Sequence, residues 1–188
     1  MQSCGCGVDA KGLSGEDLVQ FLHRFEGDFG SIESCSISVY SPCAVGNAEE
    51  LIRALDQPTH LQNGVIVPAA FSDAEMRGLS VNRLGHISTE RAVAMAQDRV
   101  AAQNKQKGYS PDSERYRSAV AYCTFLVSDL RNIMTKCGKR GYVVLDTAEK
   151  LNVSHSDVVC VTTNKQLTRS VRSRLFELAN AKLQILTC

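Results

Sequence analysis

Gly78-Leu79-Ser80-Val81-Asn82-Arg83-Leu84, followed by S-T-E-R-A-V-A-M-A-Q over 88–97, is the stretch from which the fold reads outward. Leu79 and Val81 alternate with Ser80 and Asn82, the period of a strand with one apolar face. Ser88 and Thr89 then open a helix that runs to about Lys105, with Ala92, Val93, Ala96 and Val100 on one side. A βαβ unit would return to a strand at once. Instead the polar, turn-rich 104–117 (N-K-Q-K-G-Y-S-P-D-S-E-R-Y-R) intervenes before the apolar Ala119–Val127. That segment reads as a mobile loop.

The same rules place the other elements. Ser14, with Glu16 and Asp17 in the first turn, opens a helix over 14–26, and Gly27 and Gly30 end it. Ser36–Tyr40 alternates like a strand. Asn47, followed by Glu49 and Glu50, caps a short helix through Leu55. Val65–Val67 is a strand that Pro68 closes. Ala119–Val127, Tyr142–Leu145 and Asp157–Val161 are further strands, and Ser128 caps a helix over 129–136. The C-terminal 166–184 is an amphipathic helix with Leu167, Val171, Leu175 and Leu178 on one side and Lys165, Arg169 and Arg172 on another. Strands and helices mix without βαβ spacing. The expected fold is α+β, a single domain over 1–188 with a mixed β-sheet packed by helices, residues 1–13 forming a disordered or Cys-bearing extension.

The chain has 188 residues, 44% hydrophobic and 22% charged, enough to bury a core without disulfide support. No apolar run approaches the ~20 residues of a membrane span. The N-terminus shows no basic region followed by an apolar core, so a cytoplasmic location is expected. The net charge of +1 hides an asymmetry: residues 1–94 carry 6 Lys+Arg against 12 Asp+Glu, and residues 95–188 carry 15 against 8. Such a split either joins two halves of one fold or presents acidic and basic faces to a partner. Eight Cys stand at 4, 6, 35, 43, 123, 137, 160 and 188. Cys123 and Cys160 sit in apolar runs, where a thiol behaves as a small hydrophobe. Most thiols are therefore expected to be free.

Two segments carry chemistry-bearing residues. Arg83, at the end of its strand, needs a carboxylate or a phosphate. Ser80 and Asn82 share the polar face, and His86 follows in the turn. In Asn152–Cys160, His155 lies between Ser154 and Ser156 at a strand entry, placed for proton transfer if an acid orients it. Asp146 is the candidate orienter, since Asp157 is too near in sequence to be assumed. No G-x-S-x-G, G-x-x-x-x-G-K-[ST] or G-x-G-x-x-G is present, which disfavours the folds those motifs mark. No motif calls for a cofactor. Cys4, Cys6, Cys35 and Cys43 form an alternative zinc set, although their spacings depart from the usual C-x₂₋₄-C pairs.

The order of these pieces resembles that of a group of small uncharacterised bacterial proteins. They show an A-F element, then L-S-V-x-R, an apolar strand with a short helix, a His-containing strand entry and a basic C-terminal helix. Here those are Ala70-Phe71, Leu79–Arg83, Ala119–Ile133, His155 and Arg169–Leu178, together spanning about 65–180. The group usually has Asn-Pro shortly before the His, where this chain has Asn152-Val153-Ser154. The resemblance implies no activity, but it implies that Arg83 and His155 belong to one site.

The functional expectation is thus a cytosolic bacterial protein with a pocket of Ser80, Arg83 and His155 that binds or processes an anionic ligand, a nucleotide or RNA phosphate. Arg83 would stabilise phosphate charge and His155 would move a proton. The alternative is a non-enzymatic interaction module, or homo-oligomer, that uses complementary acidic and basic faces. No membrane partner is expected.

Overall fold

The computed structural model describes residues 10–186. Its frame is a six-stranded sheet built from β1 (Glu50–Gln57), β4 (Leu79–Arg83), β5 (Ser118–Leu126), β6 (Tyr142–Asp146), β7 (His155–Cys160) and β8 (Leu183–Ile185). The order across it is β6-β7-β4-β1-β5-β8. A small hairpin, β2 (Leu61–Gln62) with β3 (Val65–Ile66), stands apart. Every neighbouring pair of the large sheet runs antiparallel. The class is α+β, and the mixture of strand directions expected from the sequence is absent from the described residues. β4 and β5 both flank β1, so the helix between them, α4 (Thr89–Lys107), crosses over one strand.

Alternation within each strand sorts residues onto two faces. The first face carries Leu51, Leu55, Leu79, Val81, Phe125, Val144 and Val158, packed with Phe71 and with Val171, Leu175 and Ala179 of α6 (Lys165–Ala181). The second face is covered in two separate places. Over β6 and β7, Val143, Leu145 and Val159 meet Leu18, Val19 and Leu22 of α1 (Gly15–Arg24) and Ile32 of α2 (Phe29–Glu33). Over β1 and β5 lies α4. Between these coverings no other described element lies over β4 and the first half of β7, and there the strands present Ser80, Asn82, His155 and Asp157.

Several elements depart from the sequence reading. Asn47–Leu55 is not a helix. Gly46 N donates to Glu49 Oε1 at 2.6 Å in a turn, and the run beyond is β1, buried on both faces. A short continuous apolar run does not by itself separate the two states. Ser36–Tyr40 is a turn rather than a strand, with Ser38 Oγ donating to Ala148 O. α5 spans only Val127–Arg131, and α6 stops at Ala181 so that 183–185 can pair with β5 as β8. Residues 10–13 are not a loose extension: Ala10 is buried and Gly12 N donates to Ile37 O at 2.9 Å. The 104–117 segment begins as the last turn of α4. Its ends are clamped by Asn104, whose Nδ2 donates to Arg117 O at 2.7 Å and whose Oδ1 accepts from Arg117 N at 3.1 Å. No helix among the described residues is long and apolar enough to cross a membrane.

Candidate functional site

Arg83 and His155 are close along the sheet but not in one pocket. Asn82 stands opposite His155, and Arg83 N donates to Ser154 O at 2.9 Å. One residue of offset turns the Arg83 side chain to the first face and the His155 ring to the second. There Arg83 is wholly buried. Its Nε and Nη2 donate to the two Glu49 oxygens at 2.7 and 2.8 Å, and its Nη1 to Asp146 Oδ2 at 3.0 Å and Cys43 O at 2.7 Å. Burial opposes the charge, but the hydrogen bonds to Glu49 and Cys43 and the field of Asp146 outweigh it and push the pKa up. Arg83 is an internal structural cation and not the free anion-binding group expected.

Asp146 is correspondingly not the orienter of His155. It pairs with Arg83, accepts from Ser41 Oγ, and takes Ala148 N at 3.0 Å. His86 is exposed in the turn after β4 and lines neither cavity of the cleft. On α6, Lys165 and Arg169 are exposed and Arg172 is paired with Glu75 at 2.9 Å. That helix covers the opposite face of the sheet from the cleft. Cys4 and Cys6 lie outside the described residues. Cys35 is disulfide-bonded, which removes it from a thiolate set, while Cys43, Cys123, Cys137 and Cys160 are free. The described residues contain no His/Cys/Asp/Glu cluster able to hold a metal.

Ser80 and His155 do come together. They and Glu149 form a wall shared by two cavities on the open stretch of the second face. The larger, about 520 Å³, lies toward α1 and the 37–40 turn, and the smaller, about 320 Å³, lies under α4. His155 Nδ1 is 3.1 Å from Thr147 O and 2.9 Å from Thr147 Oγ1. A carbonyl only accepts, so Nδ1 carries the proton, and in the neutral ring Nε2 is left as a base. Asn82 Oδ1 accepts from Asn152 Nδ2 at 2.8 Å and from Ser154 Oγ at 3.1 Å, fixing the loop before β7.

The larger cavity has Asp157 in its wall, buried and opposite Ser80. Burial pushes its carboxyl up, and neighbouring His155 and Thr147 act against that without reversing it. Gly78 has φ +85°, and a Cβ there would stand 2.9 Å from Asp157 Cγ, so glycine at 78 is what leaves room for the acid.

The residue that sequence reasoning missed, Arg53, stands opposite Cys123 on the first-face side of β1 and lines the smaller cavity from the gap between β1 and β4. β1 and β4 pair only at Leu51–Arg83 and Ile52–Asn82. Beyond, the strands part, and Arg53 Nη1 donates to Ser80 O at 2.8 Å where the next ladder bond would fall. Arg53 is only 4% exposed, and among the described residues its Nε has no partner and no carboxylate lies within ion-pairing distance. Burial, and then the charge of Arg99 on the cavity wall from α4, push its pKa down, and the fields of Asp73, Cys123 and Asp56 act against this without reversing it. The signal is an Arg inside the apolar run L-I-R-A-L of 51–55, a position that a helix over 47–55 would turn to solvent.

Comparison of the chain with protein-family models, with curated proteins and with solved structures finds no match in any of the three. What fold and site define is a class: an α+β protein whose antiparallel sheet, among the described residues, borders a polar, cation-lined cleft.

Proposed function

We propose that the protein binds a small anionic ligand, a nucleotide or other phosphate, in the cleft between α4 and the 147–154 loop. One observation carries this reading. Among the described residues, Arg53 is a buried guanidinium with no carboxylate in ion-pairing contact, and with Arg99 it lines a cavity large enough for a ligand. An unpaired buried charge costs several kcal/mol on general grounds (about that order for one ion), and an anion arriving from solvent offsets it. The intact internal pairing of Arg83 sharpens the contrast, because that cation already has its anions. Glu149 is the acid on the smaller cavity's wall, and it is exposed and free to turn toward solvent. His155 Nε2 stands at the shared wall as the group able to accept a proton from a bound ligand.

The test is calorimetry and thermal shift with inorganic phosphate, nucleotides and short RNA on wild type and Arg53→Met. A ligand at 100 times its dissociation constant adds about 2.7 kcal/mol of stability. Wild type should show that gain and Arg53→Met should lose it while remaining folded and at least as stable without ligand. Equal binding by the two proteins would remove the reading. The other use of the charge asymmetry, an interaction module with acidic and basic faces, draws no support from the ion pairs. Asp56–Arg117, Glu33–Arg131, Glu33–Arg140, Glu75–Arg172 and Glu50–Lys182 each join an acid of the first half to a cation of the second inside the fold.

A further inference from the structure

We infer that the ligand is a phosphate monoester with a ring-bearing body, its phosphate in the smaller cavity at Arg53 and Arg99 and its body in the larger one against Val39 and Tyr40. The inference rests on the anion-binding reading above and names the ligand class for that site. Charge is the first argument. Two guanidiniums line the smaller cavity, and a monoester phosphate brings about −1.5 to −2 at pH 7, where a carboxylate or a phosphodiester brings only about −1.

Shape is the second. The two cavities share Ser80, Glu149 and His155, so they adjoin, and a ligand that spans both has about 520 Å³ beyond His155. That space is far more than an inorganic anion fills and lies within the range typical of small-molecule sites, about 300–1,000 Å³. Val39 and Tyr40 form an apolar part of its wall, which Arg77 and Lys150 also line. Val39 is 86% exposed and Tyr40 47% exposed, side by side in the turn that faces the cleft. Exposed apolar groups gathered at a cavity mouth mark a binding surface more often than isolated ones do. On the inner wall, Ser80 and the Asp157 carboxyl offer hydrogen bonds to ring heteroatoms or hydroxyls.

Titration calorimetry tests this with four probes: inorganic phosphate, adenosine 5′-monophosphate, adenosine and a dinucleoside monophosphate. The proteins are wild type, Arg53→Met and the exposed-site double variant Val39→Ser/Tyr40→Ala. Wild type should bind the monophosphate at least tenfold more tightly than inorganic phosphate or adenosine. The double variant should lose that tenfold excess and bind phosphate as wild type does, and Arg53→Met should lose both. If wild type binds phosphate and the monophosphate equally, the ligand class is wrong while anion binding stands. If it binds neither, both readings fall. Tighter binding of the diester, or of RNA in the companion screen, overturns the inference in favour of a polynucleotide.

Discussion

Arg83 and Arg53 are both buried on strands that neighbour one another, and their surroundings are opposite. Arg83 sits between Glu49 and Asp146, so removing it leaves the buried Asp146 carboxylate and the part-exposed Glu49 carboxylate without their shared cation. Arg83→Met should therefore destabilise the protein by about 3–5 kcal/mol, the usual cost of breaking a buried ion pair. Denaturant unfolding measures this, and at a temperature where the variant is still folded its phosphate affinity should stay that of wild type. A loss of affinity without a loss of stability would return Arg83 to the binding site. The sequence made both roles of Arg83 conceivable, an internal ion pair or a wait for an anion. Sequence distance could not choose, because the acid that matters, Asp146, comes from a strand two positions away in the sheet.

At the scale of elements, the cleft depends on how β4 begins. Gly78 takes a left-handed backbone conformation at the end of the short α3 (Asp73–Met76) and brings the chain against Asp157. Gly78→Ala meets both a strained φ and a Cβ at 2.9 Å from Asp157 Cγ. It should cost about 1–3 kcal/mol by the usual size of such strain, read as a lowered unfolding midpoint, and a part of that should return in Gly78→Ala/Asp157→Ala. Elements with strong local signals were legible: the alternation of Leu79–Arg83, the Ser88 cap whose Oγ takes Arg91 N at 3.2 Å, and the apolar side of α6. Those decided by partners were not. The N-A-E-E of 47–50 has a helix cap's residues, but Glu49 is spent on Arg83 and Gly46. β8 exists because β5 offers it an edge, a fact no local pattern contains.

For the whole molecule, the charge asymmetry of the sequence becomes internal cohesion, and its acid limit can be stated. Burial raises the Asp56 carboxyl, but hydrogen bonds from His60 and Arg117 outweigh it and hold the pKa at about 2, against an ordinary value of 3.8. A depressed folded pKa contributes stability that is fully present above 3.8 and is lost as pH falls toward 2. At 1.36 kcal/mol per pKa unit that is about 2 kcal/mol. Unfolding free energies between pH 5 and 2 should show wild type losing this much more than Asp56→Asn; parallel curves would show that the pair contributes nothing. Asp157 has the opposite sign: its raised pKa favours the fold below the ordinary carboxylate range and ceases to do so as pH climbs through the raised value.

The brief pairing of β1 with β4 gives the sheet a seam. On one side β6-β7-β4 carries Ser80, Asn82 and His155, and on the other β1-β5-β8 carries Arg53 with α4 riding above it. The two ribbons are stitched by Leu51–Arg83 and Ile52–Asn82 at one end and, further along, by the single Arg53–Ser80 bond. A guest lodged there touches both ribbons at once, so it is a rivet as much as a cargo, and whatever occupies the cleft also decides how firmly the molecule's two halves are held together.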